Sequence, residues 1–213
     1  TGRAGRDGLP STAWLAYGLQ DVVQQRRMID TSDGDAAHRR RLSAHLDAMR
    51  ADKSGHAAAG SPIALVHAAS IDDVQTTMRI ASATGTPVVV RGAGTGLAGG
   101  ANAGTREIVL SLRGMDRILE VRADDLLAVV EPGILNADLN RALADHGLWW
   151  APHPASREIS TVGGNIATGA GGLLCAKYGV VRDAVLGVDL VLADGRLLRL
   201  GHRSVKGVTG LDL

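Results

Sequence analysis

A chain of 213 residues with 45% apolar and 21% charged side chains can bury roughly 70% of its unfolded surface, which excludes an extensively disordered protein and allows one large domain or two small lobes. A formal net charge of +1 and an aromatic share of 2%, with no Phe, provide neither a basic face nor stacking platforms, which excludes a nucleic-acid binder. The single cysteine, Cys175, excludes an internal disulfide and points to a reduced, cytoplasmic compartment, and no apolar run approaches the roughly 20 residues of a membrane span.

In chain order, residues 1–60 read as an N-terminal helical segment. Residues 1–12 are Gly-rich and polar, while Trp14 to Met28 and Ala36 to Met49 have helical composition, the second with Leu42, Leu46 and Met49 at helical spacing. The main domain, residues 61–213, opens with a strand from Pro62 to His67. Ser70 stands three places before Asp73 and caps a helix with Val74, Met78 and Ala81 on one face, ended by Gly85. Pro87 to Arg91 is the next strand, so this part is a β-α-β unit. After a glycine-rich stretch, Ile108 to Leu112, Arg117 to Val121 and Leu126 to Val130 lie too close together for crossover helices and predict an antiparallel meander. Glu131, Pro132 and Gly133 then turn the chain into a helix with Leu135, Leu139, Ala142 and Leu143 inward, terminated by Gly147. Finally, Val185 to Leu192 and Arg196 to Leu200 flank Asp194 and Gly195, a strong hairpin signal. The fold class is α+β, with mixed and antiparallel strands and flanking helices.

The stretch RGAGTGLAGG at residues 91–100 directly follows Val88, Val89 and Val90. Each glycine costs about 0.5 to 1 kcal/mol relative to alanine in regular structure, so a gain must offset five of them. Gly94, Gly96 and Gly99 satisfy the dinucleotide pattern GxGxxG, but LAGGANAGTR at residues 97–106 has no helical face for the crossover helix of that fold. A P-loop fails too, because Ala101 follows Gly100 where the lysine belongs. A flexible turn is the plain alternative. The composition suits a nest of main-chain N–H groups facing an anion, with the Thr95 hydroxyl as a further donor. A second glycine-dense stretch, TVGGNIATGAGG at residues 161–172, follows APHPAS at residues 151–156, and two such loops together suit a long ligand carrying a diphosphate.

With PVVVRGAGTGLAGG, AVVEPG, STVGGNIATGAGG, CAKYGVVRDAVLGVDLVLADG and KGVTGLDL in view, residues 61–213 resemble the FAD-binding (PCMH-type) domain of the vanillyl-alcohol oxidase superfamily. The branch is that of the glycolate oxidases and the D-lactate dehydrogenases. The resemblance implies two α+β lobes holding extended FAD between them. Gly92, Ala93, Gly94, Thr95 and Gly96 would then donate to phosphates, and Thr161, Gly163, Gly164 and Asn165 would line the flavin. It further assigns Arg91, Gly99 and Gly100, then Pro154 and Ser156, then Val162, Ala167 and Gly171 to the cofactor site. No histidine occurs in residues 91–100, so the FAD is expected to be non-covalent.

The implied activity is oxidation of a small 2-hydroxy acid. Where the family has Pro-Asp-Pro this chain has Pro152, His153 and Pro154, Gly169 replaces an Asn, and Leu211 replaces the Tyr before Asp212. The chain begins at Thr1 and stops at Leu213, so a fragment is expected whose substrate domain is a continuation or a partner subunit. No catalytic base is therefore assigned. Two alternatives stay open: a non-catalytic FAD- or nucleotide-binding accessory lobe, and a sugar or alditol oxidase of the same fold.

Other candidates have plainer readings. His38 and His45 lack metal-ligating neighbours at the right spacing, and Arg39 to Arg41 read as a solvated face. Cys175 reads as a packed apolar residue, and Asp183 and Asp189 as structural. His153 is either flavin-proximal or an ordinary loop histidine, and Trp149 and Trp150 either cover the cofactor or anchor the core.

Overall fold

The computed structural model describes residues 36–204. The predicted helix at Trp14 to Met28 and the closing KGVTGLDL stretch lie outside the described residues. Helix α1, Ala36–Ala48, agrees with the sequence-based expectation and turns a half-buried Leu42 and Leu46 to one side.

Strand β1 (Ala64–His67), helix α2 (Ile71–Thr84) and strand β2 (Val88–Arg91) form the β-α-β unit. The cap of α2 is the one its sequence encodes: Ser70 Oγ accepts the Asp73 amide at 3.2 Å, while Asp73 Oδ2 accepts the Ala69 amide and the Ser70 hydroxyl, each at 3.0 Å. Gly85, at φ +62°, sends its amide back to the helix's last carbonyls.

Strand β3 (Ile108–Ser111) departs from the expected meander. It lies parallel to both β1 and β2 and between them, with Ile108 in register with Ala64 on one side and Val88 on the other. All four of its residues are buried. Three consecutive apolar residues, Ile108 to Leu110, with a buried Ser111 suit a central parallel strand covered on both faces, and that property, rather than its distance from the next strand, decides its place. The crossover from β2 to β3 is consequently the glycine-rich stretch itself, residues 92–107. Leu110, Ala68 and Met115 form the core between this sheet and Val74 and Met78 of α2.

The rest of the meander is real: β4 (Ile118–Arg122) and β5 (Leu127–Val130) pair antiparallel. Helix α3 (Asn136–Ala144) packs on them through Leu139 and Leu143, with Ile134 and Val162. Its buried face differs from the expected one at the start, where Asn136 is sealed and Leu135 is the half-buried N-cap residue. The open end of the β4–β5 hairpin is closed by Glu131, which is 7% exposed and accepts from the Arg117 amide, Nε and Nη2 at 2.9, 3.1 and 2.7 Å.

The chain continues through short helices α4 (Val162–Ala167) and α5 (Cys175–Tyr178) and a 3-10 turn, Val181–Ala184. Strands β6 (Gly187–Val191) and β7 (Leu197–Gly201) form the expected hairpin, with Gly195 at φ +83°. Its tip docks on α2, where Gln75 Nε2 donates to the Gly195 carbonyl at 2.8 Å. Among the described residues no helix is long and apolar enough to cross a membrane.

The hydrogen bonds from Arg117 outweigh burial and hold the Glu131 carboxyl below the usual carboxylate range. A carboxyl depressed in the folded state contributes stability that is complete above its unfolded pKa, about 4.3, and is lost as pH falls through the lower folded value. The thermal midpoint is therefore expected to fall on acidification below about pH 4.3. Glu131→Gln should lower the midpoint at neutral pH and flatten that acid limb, as measured by circular dichroism melts across pH.

Candidate functional site

The glycine crossover is held from beneath by a buried arginine. Arg91, at the end of β2, is 8% exposed; its Nη1 donates to the Ala101 carbonyl at 2.6 Å and its Nη2 to the Ala51 carbonyl at 2.8 Å. Burial pulls the Arg91 guanidinium down from its ordinary pKa, and Asp52 opposes that pull. Burial also pushes the Asp52 carboxyl up, but the Ser54 hydroxyl and amide, the Ala101 amide and the Arg91 charge together leave it below the usual carboxylate range. Further bonds fasten residues 49–56 to the crossover: the Ala103 amide to the Met49 carbonyl at 3.0 Å, the Lys53 amide to the Gly96 carbonyl at 3.1 Å, and Asn102 Nδ2 to the His56 carbonyl at 2.8 Å.

With the carbonyls of Gly96 and Ala101 fastened below, the first half of the crossover leaves its donors free. None of the amides from Gly92 through Gly100 donates to an acceptor among the described residues, although Gly92, Ala93, Gly94, Thr95 and Gly96 are half-buried. Half-buried N–H groups without partners are uncommon in folded proteins, and a consecutive run of them forms an anion-binding concavity. Gly94 must be glycine for two reasons. Its φ is +68°, and a Cβ there would overlap the Arg91 guanidinium. The sequence-based assignment of Arg91 to the ligand is thus revised: its side chain is committed to main-chain carbonyls under the loop. Gly99, at φ +76°, faces Asn102 and Ser54, and Gly100 is exposed with open space around it.

The second glycine stretch is built differently. Thr161 is the N-cap of α4, its hydroxyl accepting the Gly164 amide at 3.2 Å. The Val162, Gly163 and Asn165 amides go to the carbonyls of Ile134, Pro132 and Thr161 at 2.9, 2.8 and 2.9 Å. The expectation that the two loops together suit a long ligand carrying a diphosphate is thereby narrowed: the leading amides of the second are already satisfied. Val162, assigned from the sequence to the ligand, is 3% exposed with its side chain in the core beside Leu139 and Leu143. Gly163 is glycine because a Cβ would stand 2.5 Å from Pro132 Cβ, so the helix start can press against the turn before α3. Ala167 is exposed, Gly171 lies against Cys175, and Pro154 and Ser156 use their carbonyls to cap the turn at residues 157–160.

The two stretches nevertheless meet. A Cβ on Gly92 would overlap Thr161 Oγ1 and stand 3.8 Å from Gly164 Cα. Asn165, 4% exposed, lies one residue on from that junction, and its Oδ1 accepts from Asn136 Nδ2 at 3.1 Å. Asn136 is fully buried and was missed from sequence, although its spacing from Asn140, four residues on along the face that carries Leu139 and Leu143, was a visible signal. His153 is held by the Arg157 guanidinium, and Trp149 packs edge-on to Tyr178 with centroids 4.8 Å apart. Asp183 Oδ2 accepts the Val180 amide at 2.8 Å, a structural cap as expected. A separate open cavity of about 430 Å³, lined by Arg113, Asp116, Ile134 and Asp138, contains no residue of either glycine run.

Fold and site together define a class: an α+β domain whose crossover loop presents unpaired main-chain donors beside a glycine-dense helix start. Comparison with known proteins gives the class its family. Residues 62–201 match the family model described as FAD binding domain. Over 152 residues the chain is 41% identical to the glycolate oxidase subunit GlcD of Bacillus subtilis, and over 149 residues 41% identical to the D-lactate dehydrogenase of Archaeoglobus fulgidus. Those alignments cover 71% and 70% of this chain but 32% and 33% of the relatives, so the chain spans about a third of their length. Among solved structures, 6-hydroxy-D-nicotine oxidase from Arthrobacter nicotinovorans aligns with TM-score 0.63 and 28% identity, covering 74% of this chain and 34% of that one. This chain belongs to the FAD binding domain family, and FAD is its cofactor.

Packing at the junction is directly testable. Gly92→Ala should destabilise the fold by about 1 to 3 kcal/mol, the range for overpacking, because Thr161 must move. Gly100→Ala meets open space and should stay within about 0.5 kcal/mol of wild type. Urea unfolding of the two variants side by side reads the difference.

Proposed function

We propose that this chain is the FAD-binding part of a flavin-dependent oxidoreductase acting on a small 2-hydroxy acid such as glycolate or D-lactate. The observation that carries the reading is the run of unpaired amides from Gly92 to Gly100, set where Gly92 meets Thr161 and Gly164. The names of the relatives narrow the chemistry: a D-lactate dehydrogenase, a glycolate oxidase component and, at 39% identity over 168 residues, the D-2-hydroxyglutarate dehydrogenase of Stutzerimonas stutzeri.

The residues fit the group. A diphosphate needs several outward N–H donors and close backbone approach, which the crossover supplies through Gly92, Ala93, Gly94, Thr95 and Gly96. In this reading the Thr95 hydroxyl is a further donor, Gly99 and Gly100 shape the loop's outer bend, and Asn165 with Gly164 borders the flavin end. No histidine of this chain lies in the crossover, so the cofactor is held non-covalently. Held by these residues, FAD would supply a hydride acceptor for oxidation of the hydroxyl-bearing carbon of a 2-hydroxy acid to a 2-oxo acid. In this reading residues 61–213, as a domain, bind and orient that group. The lone cysteine supports a cytoplasmic location.

Reconstitution with FAD followed by gel filtration should give a yellow protein, and a chain that stays colourless in excess FAD removes the reading. Gly94→Val should reduce flavin retention at least a hundredfold, since a branched side chain at φ +68° collides with Arg91 and disorders the donor run. Substrate class is read by anaerobic bleaching of the bound flavin with glycolate, D-lactate and D-2-hydroxyglutarate. Bleaching by a sugar or alditol instead would redirect the assignment within the same fold.

A further inference from the structure

Three asparagines run from the core to the second glycine stretch, and their orientations are dictated from main-chain groups whose hydrogen-bonding character is fixed. The Trp150 amide can only donate, and it does so to Asn140 Oδ1 at 2.9 Å. Asn140 must therefore point Nδ2 the other way, where it donates to both the carbonyl and Oδ1 of Asn136 at 3.2 Å. The Pro152 carbonyl can only accept, and it takes Asn136 Nδ2 at 3.0 Å. That same Nδ2 donates its other proton to Asn165 Oδ1 at 3.1 Å. With its oxygen held inward, Asn165 is left with Nδ2 as its outward group.

That nitrogen donates to no acceptor among the described residues, yet it is not sealed from solvent as Trp150 Nε1 and Ser160 Oγ are. A side chain 4% exposed, oriented through two buried bonds and offering one open donor beside the Gly92 and Gly164 junction, is arranged to meet an acceptor that comes from outside the chain. We infer that Asn140 and Asn136 are positioning residues: they form an orienting relay that makes Asn165 present an N–H donor, and not a carbonyl, to a hydrogen-bond acceptor of the bound flavin nucleotide. This inference rests on the FAD-binding reading above and adds to it the polarity of one contact and the two residues that set it. Neither Asn136 nor Asn140 touches the nucleotide.

A double-mutant cycle on the 213-residue chain tests it, with FAD affinity by fluorescence quenching and the visible absorption of bound flavin as readouts. Asn165→Leu and Asn136→Leu should each weaken FAD binding about tenfold, the worth of one hydrogen bond, and produce the same shift of the visible bands. In the Asn165→Leu background, Asn136→Leu should change neither affinity nor spectrum further. Equal losses from Asn136→Leu in both backgrounds, or no loss in either, overturn the relay and leave Asn136 a packing residue. If Asn136→Leu fails to fold by circular dichroism, Asn140→Asp decides by the same criterion: it still accepts the Trp150 amide but offers Asn136 no donor, so its effect must vanish in the Asn165→Leu background. Wild-type chain that binds no FAD overturns the functional reading itself, whereas wild-type binding with an additive cycle overturns the relay alone.

Discussion

The site depends on where one buried guanidinium sends its protons. Arg91 bonds the carbonyls of Ala51 and Ala101, so the acceptors that the crossover's own amides would otherwise find are drawn underneath and engaged. A glycine-rich stretch without such an anchor would satisfy itself in tight turns or fray into water. Here the half-buried Asp52, held by the Ser54 amide, acts on the guanidinium through its charge, and the Arg91 hydrogen bonds set the face that the loop turns outward. Removing the Asp52 charge would leave the buried guanidinium with less compensation for its lost hydration.

The two glycine-dense stretches look alike as sequence and do different physical jobs. In the first, absent side chains give left-handed backbone and open approach to the amides. In the second, they let Gly163 touch Pro132 and let α4 start against the turn into α3, while the helix's own leading amides are satisfied by Thr161, Ile134 and Pro132. Glycine density therefore reports close backbone approach in general, and only the hydrogen-bond accounting distinguishes approach by a ligand from approach by the protein.

Local chemistry was legible in the sequence wherever neighbours in the chain supply it. Ser70 with Asp73, the glycine at residue 85 and the Asp194-Gly195 hairpin each involve partners a few residues apart, and each formed as read. The glycine crossover was also legible, as a stretch too costly to be idle. What the sequence concealed depends on distant main-chain atoms. Arg91 finds carbonyls some forty residues upstream, and a carbonyl carries no residue-type signature. The seat of β3 between β1 and β2 was hidden by reading spacing in place of its consecutive apolar residues Ile108 to Leu110. Asn136 was hidden because a polar residue at the first turn of a helix ordinarily reads as surface.

That β3 returns beside β2 has a consequence for energetics. The crossover starts and finishes on adjacent strands of one sheet, so its closure is enforced by ladder hydrogen bonds before any guest arrives. A guest gripping those amides thereby also staples two neighbouring strands, and its free energy of association is transmitted by mass action to the whole three-stranded layer and not only to a surface flap. Loading and melting of that layer are in this way one thermodynamic cycle.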